Sequence, residues 1–231
     1  MISRTRMITL VRNFSADEVS KGLDEKPELL RYRDERGRNR LHLCAGVDVC
    51  KDVCKDVCRD VSRKTNLNTE NSVRLGAVLL ERGLDINAPA FTEGSWCATS
   101  LWYAVGRGHN LPLAKFLLKS GSTPEHCLWA ASFSEDLEML RLLIEAGASL
   151  EAVAEGETPL LGAVKTSKFR AARLLLDAGC DPDYQDARGM TALHYMLKKN
   201  SDKKHIGLFV KYGAGGYSQC RQHHRSGSHV A

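Results

Sequence analysis

The sequence predicts an all-α solenoid of about five helix-turn-helix units, with short finger turns between them and a helical insertion in the first unit. Three observations predict it. One phrase returns five times, as Leu80-Glu81-Arg82-Gly83, Leu118-Lys119-Ser120-Gly121, Ile144-Glu145-Ala146-Gly147, Leu176-Asp177-Ala178-Gly179 and Val210-Lys211-Tyr212-Gly213. The glycines stand 38, 26, 32 and 34 residues apart, and a period near 33 marks a stacked array of supersecondary units. Ahead of each glycine the apolar residues follow a helical period. In the segment 113–119, for example, Leu113, Phe116, Leu117 and Leu118 share one side.

Composition sets outer limits. The 231 residues are 43% hydrophobic and 26% charged, an ordinary balance for a globular chain, and with 6% aromatic residues the core must be built of Leu, Ala and Val. The net charge of +5 is a mild excess and falls short of a clustered nucleic-acid surface. No run approaches the roughly 18 apolar residues of a membrane span. The N-terminus, Met1 to Arg6, has charges but no apolar block behind it, so no secretory leader is expected. The eight cysteines then read as reduced thiols in a cytoplasmic protein, with delivery into a host cell by a specialised route left open.

Within each unit a shorter apolar segment precedes the long helix and is opened by a small hydroxyl residue or proline. Thr158-Pro159-Leu160-Leu161 and the run Thr191 to Tyr195 are the clearest cases. Thr supplies a capping oxygen, and Pro is tolerated in the first helical turn. Each terminal glycine suits a left-handed position that a Cβ would penalise. Asp181-Pro182-Asp183 and Asp186-Ala187-Arg188-Gly189 are turn residues between units. The expected core rows are Leu41, Leu101, Leu128, Leu160 and Leu193 on the short helices, and Leu79, Leu117, Leu143, Leu175 and Phe209 on the long ones.

This design resembles the ankyrin repeat family. The residues that carry the likeness are Asp34 to Gly37 followed by Leu41-His42-Leu43-Cys44-Ala45, Asp186 to Gly189 with Thr191-Ala192-Leu193-His194, and Ala104-Val105-Gly106-Arg107-Gly108-His109 leading into Leu113 to Leu118. The likeness covers residues 34–216 and implies an array there. Residues 1–33 form an N-terminal segment and degenerate helical cap, with Ser15 to Glu18 as a capping box and Pro27 opening a short helix. Residues 217–231 read as a disordered polar tail. Two departures stand out. The third unit is about seven residues short and should lack its finger, and Trp102, Trp129 and Leu161 replace the family's histidine that His42 and His194 retain.

An insertion at residues 46–71 interrupts the first unit with a four-residue repeat, Asp48-Val49-Cys50-Lys51 and its copies to Arg63. As a helix it would place Cys50, Cys54 and Cys58 on one stripe beside Val49, Val53, Val57 and Val61. Val and Asp are mediocre helix formers, so a disordered excursion is a rival. The thiols leave open a redox-responsive stripe, or a metal site completed by His42 or Cys44. Cys97, Cys127 and Cys180 stand singly near packed positions and read as structural thiols.

No phosphate-cradling glycine motif, metalloprotease pair or nucleophile turn occurs. No catalytic residue, cofactor or metal is assigned. The resemblance implies a protein–protein interaction module whose concave face is lined by finger residues and by the residues ending each first helix. Carried onto this chain, those are Trp96, Arg107, Phe133, Lys165, Arg188, Lys198 and Lys199. Five of these seven residues are cationic and the other two, Trp96 and Phe133, are aromatic, so an acidic extended segment of a partner protein is the expected occupant. A weak nucleic-acid binder is the remaining alternative. Gly213-Ala214-Gly215-Gly216 runs straight into the polar tail, so the end of the array is expected to be apolar and open to fraying or self-association.

Overall fold

A computed structural model describes residues 2–49, 60–93 and 96–215. Helices come in pairs. The first helices of successive pairs are α1 (Arg4–Arg12), α4 (Arg40–Ala45), α6 (Ser100–Gly106), α8 (Cys127–Ser134), α10 (Pro159–Lys165) and α12 (Ala192–Lys198). Their partners are α2 (Ala16–Glu25), α5 (Asp60–Glu81), α7 (Leu111–Lys119), α9 (Leu137–Glu145), α11 (Phe169–Asp177) and α13 (Lys203–Lys211), with a short α3 (Glu28–Arg31) between the first and second pairs. First helices pack on first helices, from α1 to α4 and on through α12, while α2, α5, α7, α9 and α11 stack in a parallel row.

Local chemistry explains why each element begins and ends where it does. Side chains of Asn39, Thr99, Asn110, Asp136, Thr158 and Asp202 accept backbone N–H groups in the first turns they open. The five repeated glycines take φ between 78° and 97°. The residue after each glycine donates back five positions, from Leu84 to Leu79, Ser122 to Leu117, Ala148 to Leu143, Cys180 to Leu175 and Ala214 to Phe209. This is the Schellman closure, and glycine is needed because its left-handed conformation strains any residue with a Cβ. The short link between the helices of a pair also repeats, through a left-handed non-glycine residue: His109, Glu135, Ser167 and Asn200.

The cap differs from the sequence expectation. Helix α1, capped by Ser3, buries Met7, Leu10 and Val11 against the array, and Ser15 makes no side-chain cap bond. Phe14 takes the same left-handed link conformation as the other pairs. Residues 4–25 are therefore a full helix pair, fastened by Asp17–Arg74 at 2.6 Å and Asp24–Arg82 at 2.7 Å. Arg4 and Arg40 lie over the ring of Tyr32, 4.0 and 4.9 Å from its centre.

The insertion also resolves differently from one projecting helix. Val49 is not helical but buried, its N–H donating to the Gly108 carbonyl at 3.2 Å. From Asp60 the chain is helical without a break into the long helix of that unit, so residues 60–71 extend α5. Cys50, Cys54 and Cys58 lie outside the described residues.

Fingers precede the first helices. In the second unit the finger is an antiparallel hairpin, β1 (Phe91–Glu93) with β2 (Trp96–Ala98), a small strand addition to the helical fold. Asp34 and Asp186 organise the fingers of the first and fifth units in the same way. Each accepts two backbone N–H groups, from Arg36 and Arg38 or from Arg188 and Met190, at 2.9–3.0 Å. The third unit runs from Gly121 to α8 without a finger, as its length implies. Bonds between units lock the stack: Asn87 accepts from the Thr123 N–H at 2.9 Å, Glu151 from Asp181 at 2.8 Å, and Asp183 from Gly215 at 2.9 Å.

The core runs along the two helix rows. Leu41, Leu101, Leu128 and Leu160 are buried in the first row, and Leu79, Leu117, Leu143, Leu175 and Phe209 in the second. Leu193, in the last unit, is partly buried.

Candidate interaction face

In the fourth and fifth units the fingers fold back over the end of a first helix, where Glu157 and Asp186 both reach Lys165. Arg107, the residue closing α6, is exposed, and so are Arg188 at the tip of the fifth finger and Lys198 and Lys199 at the end of α12. Among the described residues no acid pairs with Arg107, Arg188 or Lys198. Phe133 is half-buried: its ring meets Trp129 edge-on at 4.8 Å, and it covers Gly162 of the next unit. Trp96 opens β2, but its side chain lies outside the described residues.

Lys165 sits in a different environment from the other cations. Its ammonium is 2.5 Å from Glu157, 3.9 Å from Asp186 and 4.6 Å above the ring of Tyr195. Burial works against its charge, but Glu157 and Tyr195 more than offset that, and the pKa is raised. Asp186 accepts from the Tyr195 hydroxyl at 2.5 Å, and this bond, with the Met190 and Arg188 N–H groups, holds its carboxyl below the usual range. The Lys199 ammonium donates to the Lys165 carbonyl. The structure thus joins Lys165, Lys199, Glu157, Asp186 and Tyr195 into one polar cluster across the fourth and fifth units. Arg107 and Phe133 stand on earlier units.

The contacts of Glu157, Asp186 and Tyr195 with Lys165 are what sequence reasoning did not reveal. The one signal was Glu157 eight residues before Lys165, a spacing that means nothing until the finger folds back over its helix. A reversal at Lys165 would add a third carboxylate to Glu157 and Asp186, so exposed Arg107 and Arg188 are the cleaner probes of this face.

Of the residues considered for a redox or metal site, His42 and Cys44 are buried in the core, as are the structural thiols Cys127 and Cys180. Burial alone pushes the Cys44 thiol up to about 12, and Cys44 donates to the Ser72 carbonyl. Burial likewise raises Cys127, and raises Cys180 to about 12. Burial holds all three in the thiol form, and the thiolate is the reactive form. His42 is engaged by Asn39 and faces the backbone of Ala88 and Ala98. His42 and Cys44 are thus both committed to packing rather than turned toward a shared ligand.

Residues 127–219 match the family model for ankyrin repeats (3 copies). An ankyrin repeat protein of fowlpox virus is 31% identical over 114 residues, which is 45% of this chain and 18% of that protein. The ankyrin repeat and LEM domain-containing protein 1 homolog of Caenorhabditis elegans is 33% identical over 100 residues, 38% of this chain and 14% of that protein. A second fowlpox ankyrin repeat protein is 29% identical over 128 residues and is 87% covered. The chain thus spans less than a fifth of the first two relatives. Among solved structures, an ankyrin repeat domain from Acinetobacter baumannii superposes with a TM-score of 0.65 at 21% identity, over 91% of this chain and 99% of that one. A further ankyrin repeat protein gives 0.64 at 18%, over 91% and 98%. At these identities the structural likeness shows the fold.

Proposed function

The chain belongs to the ankyrin repeat family, whose arrays are generally protein–protein interaction modules, and from that premise we propose a non-catalytic adaptor, inhibitor or effector that binds an acidic, extended segment of a partner protein on its concave, finger-bearing face. The observation that carries this reading is the contrast among the cations of that face. Lys165 is already neutralised by Glu157 and Asp186, whereas Arg107, Arg188 and Lys198 are exposed without a partner acid among the described residues. Unpaired arginines on a preformed face steer an acidic ligand and supply bidentate contacts to its carboxylates. Phe133, and Trp96 on its finger, would be the aromatic anchors. No helix among the described residues is long and apolar enough to cross a membrane. A cytoplasmic setting is part of the proposal.

The test compares the wild-type chain with Arg107→Glu/Arg188→Glu, and with Lys119→Glu on the opposite helix row as a control. Partner affinity should fall at least about tenfold in the double variant, roughly 1.4 kcal/mol, and weaken with added salt. Lys119→Glu should bind like wild type. Equal binding by all three would remove the site from this face.

A further inference from the structure

In the first four units two helix positions lie in or against the core. On the first helices this is the sixth residue after the cap: Ala45, Val105, Ser132 and Val164 are each at most 1% exposed. On the second helices it is the third residue before the glycine: Leu80, Leu118, Ile144 and Leu176 all lie in or against the core. The fifth unit carries large apolar side chains at both positions and leaves them bare, Leu197 at 64% and Val210 at 56% exposure. One turn earlier on the same helices stand Leu193 and Ile206, each partly buried where Leu160 and Ala172 of the fourth unit are fully covered. Spacing of four on a helix aligns Leu193 with Leu197 and Ile206 with Val210, giving a two-rail apolar stripe of the shape that seats a neighbouring helix pair inside the array.

The rim of this stripe decides its occupant. Lys203, Lys204 and Lys211 are all exposed on α13, the helix that carries Ile206 and Val210. Asp202 is the one acidic residue between 192 and 215, and it is engaged by Lys204 at 3.3 Å. Residues 216–231 bring Arg221, Arg225, His223, His224 and His229 and no acid, so they share the sign of the rim. A second copy packed face to face would set lysines against lysines. We propose that the far face of the fifth unit docks an amphipathic helical segment of a different protein, its apolar stripe on Leu193, Leu197, Ile206 and Val210 and its flanking Asp and Glu residues on the lysine rim. This is a second interface, separate from the finger-bearing face.

The experiment uses the full chain, methyl-labelled, titrated with a synthetic amphipathic helical peptide whose leucine stripe is flanked by glutamates. A control peptide keeps the stripe and replaces the glutamates with lysines. The glutamate peptide should shift the Leu197 and Val210 methyl resonances and bind at least tenfold more tightly than the lysine peptide. Leu197→Ser/Val210→Ser should lose that binding while keeping the wild-type melting midpoint, and Arg107→Glu/Arg188→Glu should retain it. Equal affinity for both peptides, or for neither up to millimolar concentration, overturns the proposal. So does dimerisation abolished by Leu197→Ser/Val210→Ser, which would assign the face to a second copy. Movement of the same methyl resonances on removal of residues 216–231 would assign it to that segment instead, and also overturns it.

Discussion

Leu143→Ala is expected to lower the free energy of unfolding by about 2–5 kcal/mol, the range for truncating a buried leucine in a core that collapses only partly around the void. Leu143 is fully buried on α9, a helix packed between α7 and α11. It also accepts the Schellman bond from Ala148 that closes its own helix. In a stacked array each unit is stabilised mainly by its neighbours, so a void in the middle of the second row weakens two interfaces together. A urea midpoint clearly below wild type at an unchanged slope is the expected outcome. An unchanged midpoint would place Leu143 outside the core.

The second large effect is a pH dependence centred on His42. Burial, first of all, together with Arg33 and Arg38, pushes its imidazole from 6.5 down to about 4. The unfolded chain takes up a proton near pH 6.5 that the folded chain refuses until about pH 4. The neutral-ring stability is therefore complete above pH 6.5 and is lost as the pH falls through the interval to 4, by on the order of 3 kcal/mol. His42→Gln keeps an acceptor for the Asn39 N–H, as capping boxes with Gln do, and removes the titration. Urea midpoints at pH 7.0 and 4.5 should converge for His42→Gln relative to wild type. An identical loss in both proteins would assign the acid sensitivity to other groups.

What the sequence reveals depends on how local the chemistry is. The repeated glycines are legible because each closes its own helix within six residues. The absent third finger is legible because a turn cannot be made without residues to make it. The first helix pair is less so: only Met7, Leu10 and Val11 mark the buried side of α1, among Arg4, Arg6 and Arg12, and no glycine closes α2. The start of α5 is hidden inside a four-residue repeat whose Val and Asp favour no boundary. That Lys165 and Lys198 take equivalent places, each the last residue of a first helix, follows from the repeat. That Lys165 is clamped does not, since Glu157 and Asp186 reach it through two different fingers. The lesson for the interaction face is that a row of cations read from spacing separates into paired and unpaired members only in three dimensions.

Backbone hydrogen exchange of the complex against the free chain tests directly which face of the array meets a partner. Protection is predicted at Arg107, at residues 133–134, and at the fingers 154–157 and 186–190 with Lys198 and Lys199. Protection confined to α7, α9 and α11, with those segments unchanged, would contradict it.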